Sequence, residues 1–141
     1  MVSTPLLRKK TEQILNALDC KKHEISIVIT DDAQIQALNH SFRGIDSPTN
    51  VLAFPMQEGE FSDITPGLLG DVVISAQTAA REAEKAGISL DERISQLLVH
   101  GILHLLGFDH EAGEEGAGTM EIKSLELLKQ IEPDNPDLPV F

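Results

Sequence analysis

The sequence predicts an α+β fold, a single domain in which a small mixed β-sheet packs with about five helices. A chain of 141 residues is long enough to bury one hydrophobic core without staples such as disulfides. Its composition, 41% hydrophobic and 24% charged, is that of an ordinary globular protein. Helical and strand patterns are interleaved without the strict alternation of parallel α/β proteins. We therefore expect residues 1–141 to form one domain.

The first two elements are a helix and a strand. Thr4-Pro5 is typical of a helix start, and apolar residues continue at helical spacing to about Asp19. The basic residues of this helix, Lys10 among them, are expected on a solvated face. Glu24–Thr30 then alternates between apolar and polar residues, which predicts a strand.

A second helix, a turn and a short strand follow. Asp31 can cap a helix that runs to about Ser41. The segment Arg43–Asn50 contains Gly, Asp, Ser and Pro, which predicts a turn that leads into the strand Val51–Phe54. Residues 57–68 are acidic and loop-like, and no element is assigned to them.

The next stretch contains one more strand and two helices with clear start signals. Gly70–Ile74 is apolar apart from Asp71 and is predicted to be a strand. Ser75 can cap an Ala- and Glu-rich helix that ends at Gly87. Ser89 and Glu92 stand three residues apart and predict a capping box at the start of a long helix.

A last helix is expected from about Gly118 to Ile131. The helical spacing of Met120, Leu125 and Leu128 predicts that these three residues share its buried side.

The long helix carries the main candidate site. His100 and His104 are four residues apart in an almost wholly apolar run, so both imidazoles leave the same side of the helix. Gly107 is suited to a left-handed turn that ends the helix. Such a turn brings His110 back over the first two histidines. The candidate site is therefore expected on the core helix and on the turn that follows it.

Three convergent imidazoles are typical of a metal site with an open fourth position. There a zinc ion keeps a water molecule and lowers its pKa to about 7. The alternative is a core helix whose histidines are satisfied separately by backbone or side-chain partners. That alternative desolvates two imidazoles without a shared ligand, so the metal interpretation is favoured. We expect one Zn²⁺ per chain, with other imidazole-binding ions such as Ni²⁺ as alternatives.

The same histidine spacing occurs in metzincin proteases. In those enzymes the residue after the first histidine is a glutamate that acts as general base. Gly101 holds that position here, so a peptidase would need its base from another part of the chain.

The charge and the apolar pattern restrict partners and location. A net charge of −12 argues against indiscriminate nucleic-acid binding, which depends on Lys and Arg. Selective binding is compatible with it if a metal ion, Arg43 and a few lysines concentrate positive charge in one cleft. The chain shows neither a signal peptide nor a run long enough to span a membrane, so we expect a cytoplasmic protein.

Three blocks of sequence carry a resemblance to a known family. They are L-N-H-S-F-R-G-I-D-S-P-T-N-V-L-A-F-P from Leu38, L-G-D-V-V-I-S from Leu69 and H-G-I-L-H-L-L-G-F-D-H from His100. In this order they resemble the YbeY family of bacterial rRNA maturation factors, which are metal-dependent single-strand endoribonucleases. Phe42 and Phe108 stand where that family commonly has Tyr, which leaves fine substrate contacts open.

The resemblance implies a zinc-dependent endoribonuclease that cuts single-stranded RNA in ribosomal RNA maturation and ribosome quality control. It implies that His100, His104 and His110 hold the metal and that Arg43 binds the scissile phosphate. Asp109 either orients a histidine as a hydrogen-bond acceptor or caps the preceding turn. The expected partners are precursor rRNA and the ribosome or a ribosomal protein, and neither DNA nor a membrane is expected.

Two other functions stay open at this stage. One is a metal-dependent hydrolase of another bond, such as a peptidase. The other is a non-catalytic ribosome assembly factor in which the metal has only a structural role. The attacking nucleophile is also open, between a ribose 2′-hydroxyl and a metal-activated water.

Overall fold

A computed structural model describes residues 3–20, 23–55, 68–108, 113–135 and 138–139 of the chain, with the backbone alone for residues 113–119. Over these residues the chain forms five helices and three strands. They are, in order, α1 (Thr4–Ala17), β1 (Glu24–Thr30), α2 (Asp32–Arg43), β2 (Val51–Pro55), β3 (Leu68–Ser75), α3 (Ala76–Ala86), α4 (Leu90–Leu105) and α5 (Gly113–Ile131). The predicted α+β fold with a small sheet and about five helices is confirmed.

The sheet has β3 at its centre, in the order β1-β3-β2. β1 runs parallel to β3, with Ile27 beside Val72, and β2 runs antiparallel to it, with Ala53 beside Val72. The sheet is therefore mixed, as predicted. Within the described residues, β2 has a neighbouring strand on one side only.

The two faces of the sheet are covered by different helices. Val72 belongs to the main core together with Leu98 and Ile102 of α4. Val73 belongs to a smaller cluster with Ile35 of α2. Because consecutive residues of a strand point to opposite faces, α4 and α2 cover opposite sides of the sheet. The fold has three layers, and α4 lies in the middle of the larger core.

The prediction of a solvated basic face on α1 is wrong at Lys10, which is only 6% exposed. Its Nζ donates hydrogen bonds to Oγ of Ser95 at 2.8 Å and to Oε1 of Glu132 at 2.5 Å. Sequence periodicity assigns a lysine to solvent because its charge is costly to bury alone. Here the hydroxyl of Ser95 on α4 and the carboxylate of Glu132, directly after α5, compensate that cost.

The last helix also differs from the expectation. It begins at Gly113 rather than near Gly118. The helix propensity of glycine is a weak preference, so the glycines at 113, 116 and 118 do not exclude a helix. Leu125 is 36% exposed instead of buried, which corrects its predicted position. The buried stripe runs through Ser124, Leu127, Leu128 and Ile131. Among the described helices, none is long and apolar enough to cross a membrane.

Candidate active site

α4 is held at its start by the predicted capping box. The backbone N–H of Glu92 donates to Oγ of Ser89 at 3.1 Å, and the N–H of Ser89 donates to Oε1 of Glu92 at 2.9 Å. The bond from the Ser89 N–H, with a further one from the Asn135 amide, lowers the pKa of Glu92. These contacts fix where α4 begins and so which of its residues face the sheet.

His100 and His104 lie one turn apart on α4, as predicted, and both side chains are half-buried. Their ring centroids are 6.5 Å apart and their planes differ by 29°. They face a cavity of about 270 Å³. Its lining among the described residues comprises Arg43, Val51, Leu52, Ala53, His100, Gly101 and His104.

The histidine pair fits a shared metal ion. The two imidazoles lie on adjacent turns of one helix face and line the same cavity, so both could reach one ion there. Neutral imidazole nitrogens are ligands that zinc prefers. Within the described part of the chain no group of three potential ligands is found, since the predicted third histidine lies outside it.

The predicted left-handed turn at Gly107 is present at the end of α4. Gly107 has φ of +85°, in the left-handed region, and its N–H donates to the carbonyl oxygen of His104 at 3.0 Å. His110 and Asp109, the third predicted ligand and its predicted neighbour, lie outside the described residues. Their roles stay predictions.

Gly101 lies against the sheet with no room for a side chain. A Cβ atom at this position would be 2.8 Å from Cγ1 of Val72 and 3.4 Å from Cγ2 of Val51. A glutamate following the first histidine, as in the metzincins, would therefore point into the packed core. The close approach of α4 to the sheet explains the glycine and further weakens a peptidase mechanism of that kind.

Arg43 is the last residue of α2, so the helix extends beyond the predicted end near Ser41. Gly44, with φ of 72°, ends it, and the N–H of Gly44 donates to the carbonyl oxygen of His40 at 3.0 Å. Arg43 is exposed and lines the same cavity as the two histidines. Since α2 covers the opposite face of the sheet from α4, Arg43 reaches this cavity around β2.

Asn39 holds the loop that follows Arg43. It is 2% exposed, and its Nδ2 donates to the carbonyl oxygen of Ser47 at 3.0 Å. Its Oδ1 is buried without a hydrogen-bond partner among the described residues. An Asn in a segment rich in turn residues is expected to stabilise a turn. The structure agrees and shows that the turn it stabilises is the one beside the cavity.

A polar cluster that the sequence analysis missed connects the two walls of the cavity. Glu82 of α3 accepts hydrogen bonds from Nη2 of Arg93 at 3.0 Å and from Nδ2 of Asn50 at 3.2 Å. Asn50 directly precedes β2, and Arg93 lies two helical turns before His100 on the same face of α4. The seven-residue spacing between Arg93 and His100 places both on one helix face, and this spacing could have indicated Arg93 from the sequence.

Fold and site together define a class of protein. It is an α+β domain in which a core helix presents two imidazoles, and a helix end presents a guanidinium, to one cavity beside a sheet. Such groups are suited to metal-assisted hydrolysis of a phosphodiester.

The chain belongs to the Endoribonuclease YbeY family, whose model matches residues 2–132. The endoribonuclease YbeY of Geobacter metallireducens is 50% identical over 132 residues, which cover 93% of this chain and 88% of that protein. The endoribonuclease YbeY of Aquifex aeolicus is 48% identical over 124 residues, which cover 87% and 81%. The predicted family and its endoribonuclease class are thus confirmed.

A solved structure supports the fold independently. The solution structure of TM1509 from Thermotoga maritima superposes with a TM-score of 0.68 at 22% identity. The match covers 95% of this chain and 86% of that chain. At this identity the likeness concerns the fold.

Proposed function

We propose that this endoribonuclease is zinc-dependent, cuts single-stranded RNA and acts on ribosomal RNA during its maturation and quality control. The observation that carries the proposal is that His100, His104 and Arg43 line one cavity. A pair of metal ligands and a phosphate-binding guanidinium in one place are what cleavage of a phosphodiester requires.

In this proposal His100 and His104 hold the metal through neutral imidazole nitrogens, and His110 is the third ligand. When bound, a zinc ion supplies Lewis-acid polarisation of a phosphoryl oxygen and acidifies a water molecule. The burial of α4 in the main core keeps the two described histidines in fixed positions. Rigid ligands on a helix need little reorganisation when the ion binds.

Arg43 binds the scissile phosphate. Its guanidinium can donate two parallel hydrogen bonds to phosphate oxygens and stabilise the negative charge that grows during cleavage. Asn39 keeps the loop after Arg43 in place through its bond to Ser47. The Arg43 side chain therefore extends from a position that is fixed by α2 before it and by the Asn39–Ser47 hydrogen bond after it.

The charge of the cavity differs from that of the whole chain. Its lining among the described residues contains no carboxylate, although the chain has 23 acidic residues and a net charge of −12. The remaining acidic surface repels RNA, so one cleft accepts a short segment and the rest of the molecule adds little affinity. This balance supports a selective nuclease that gains further affinity from the ribosome or a ribosomal protein.

Cleavage of a labelled single-stranded rRNA fragment tests the proposal. Zinc-loaded wild type should cut it, whereas His104→Ala and Arg43→Ala should lose most of the activity while keeping their circular dichroism spectra. His23→Ala and Arg8→Ala are matched controls, since both residues are exposed and outside the cavity lining. A cyclic phosphate on the product would identify the 2′-hydroxyl as nucleophile, and a plain terminal phosphate would identify water.

Two results would overturn the proposal. Equal cleavage by wild type and both site variants would place the activity in a contaminant. No cleavage by any protein, even with ribosomes added, would favour the assembly-factor function with a structural metal.

A further inference from the structure

Phe42 is the most exposed large hydrophobic residue in the described part of the chain, at 68%. It directly precedes Arg43, which lines the cavity. Burying a phenylalanine side chain stabilises a fold by about 1.5–3 kcal/mol. An aromatic ring that stays exposed beside a functional site therefore indicates a binding surface. Core packing does not account for Phe42.

The ring of Phe42 is supported from behind by Phe54 of β2. Their ring centroids are 5.1 Å apart with planes at 60°, a tilted arrangement that aromatic pairs favour. Phe54 in turn packs against the small cluster of Ile35, Leu52 and Val73. Phe42 is thus held in position while much of its surface remains accessible.

We propose that Phe42, supported by Phe54, is a stacking platform for one nucleobase of the RNA whose phosphate Arg43 binds. The inference rests on the proposed function and specifies how the same site recognises its substrate. Exposed aromatic rings bind single-stranded nucleic acid by stacking on bases, alongside cationic groups that contact the backbone. Phe42 and Arg43 are consecutive residues at the end of α2, with Cα atoms about 3.8 Å apart, so the ring and the guanidinium extend from adjacent backbone positions.

The surroundings favour a base over a protein as the occupant. Among the described residues, the large exposed apolar side chains that flank Arg43 in the chain are Phe42 and the 42% exposed Ile45, which is a small surface. A stable protein interface buries about 800 Å² on each partner, with an extended apolar centre. An aromatic ring next to a cation is instead the chemistry of a nucleotide, which combines a flat base with a phosphate.

The platform also supplies a physical basis for strand selectivity. A base in a duplex is already stacked on its neighbours and paired, and exposing its face costs a few kcal/mol. An unpaired base stacks on Phe42 without that cost. Stacking is available to every base, so the platform selects single strands without selecting a sequence.

Fluorescence gives a direct test because the chain contains no Trp and no Tyr. Phe42→Trp places one indole on the platform. Its emission should be quenched when a non-cleavable RNA of about ten nucleotides, with 2′-O-methyl riboses and phosphorothioate linkages, is added. Because stacking fixes no register along the strand, a backbone of the same length that lacks all its bases should leave most of the emission unquenched.

Affinity measurements separate stacking from general apolar contact. Phe42→Ala and Phe42→Leu should both weaken binding of the same RNA by roughly 5- to 100-fold, whereas Phe42→Tyr should bind like the wild type. Ile122→Ala is the control for loss of an exposed apolar side chain, since Ile122 is 61% exposed on α5. The backbone without bases should bind wild type and Phe42→Ala equally.

The outcomes distinguish this inference from the proposed function. If Arg43→Ala weakens RNA binding while Phe42→Ala and Phe42→Leu leave it unchanged, the nuclease site stands and the platform is refuted. If Phe42→Ala impairs ribosome association but not oligonucleotide binding, the surface binds a protein and the platform is likewise refuted. If the wild type binds no single-stranded RNA, both fail.

Discussion

Asp32 and Ser75 join the start of α2 to the end of β3. Oδ1 of Asp32 accepts hydrogen bonds from Oγ of Ser75 and from Oγ1 of Thr78, both at 2.6 Å, and Oδ2 lies 2.9 Å from Nη1 of Arg81. The bond from Ser75, followed by that from Thr78, lowers the pKa of Asp32 from 3.8 to about 2. The carboxylate therefore connects three elements on the α2 side of the sheet.

This lowered pKa predicts how stability depends on pH. A carboxyl group with a lower pKa in the folded than in the unfolded state stabilises the fold above its unfolded pKa. That contribution should be complete above pH 3.8 and decline as the pH falls to about 2. In urea titrations the free energies of unfolding of wild type and Asp32→Asn should converge over this window. A difference that does not change with pH would contradict the assignment, and the exposed Asp134→Asn serves as control.

Gly101→Ala should destabilise the protein despite the higher helix propensity of alanine. The propensity gain is about 1 kcal/mol, whereas overpacking a core costs about 1–3 kcal/mol. The new Cβ would be 2.8 Å from Cγ1 of Val72, which is fully buried, so the surrounding core would have to shift. Adding Val72→Ala should recover part of the loss in a double-mutant cycle measured by urea unfolding. Strict additivity of the two changes would contradict the close approach.

Lys10→Met should destabilise the protein by about 3–5 kcal/mol, because it leaves the carboxylate of Glu132 without its buried partner. The side chains of Lys10 and Glu132 are 8% and 16% exposed. The double variant Lys10→Met with Glu132→Leu should regain much of the stability, since an apolar pair often replaces a buried ion pair without loss. The exposed Lys9→Met should be neutral in the same thermal and urea unfolding measurements. Equal effects at positions 9 and 10 would refute this.

Glu82→Ala should lower stability by about 1.5–3 kcal/mol, the typical range for hydrogen bonds to a charged group. Its loss removes an acceptor for Arg93 and Asn50, and so loosens the connection between α4 and the start of β2. Glu84→Ala, at an exposed position of the same helix, is the matched control. Comparable destabilisation by both variants in urea unfolding would count against the role of the cluster.

Zinc should stabilise the folded chain if the histidine pair belongs to a metal site. A ligand at 100 times its dissociation constant adds about 2.7 kcal/mol, which raises the midpoint of thermal unfolding by several degrees. His100→Ala should lose this response, and His23→Ala should keep it. Equal responses of all three proteins would assign the zinc effect to the acidic surface instead.

Most of the local structure follows from the residue pattern alone. The caps at Asp31, Ser75 and Ser89 predicted where three helices begin, because a capping side chain bonds to backbone groups only a few residues away. The four-residue spacing of His100 and His104 placed both on one face of a helix, because a helix repeats every 3.6 residues. The three sequence blocks were also sufficient to predict the family to which the chain belongs.

The way in which distant segments meet could not be predicted from the residue pattern and is seen in the folded chain. The strand order β1-β3-β2, the burial of Lys10 against Glu132 and the shared cavity of Arg43 and the histidines join residues that are far apart in the chain. The exposed side of α5 at Leu125 likewise depends on which neighbours the helix packs against. Hydrogen-bond caps and helical periodicity act over a few residues, whereas burial and pairing depend on the whole packed core.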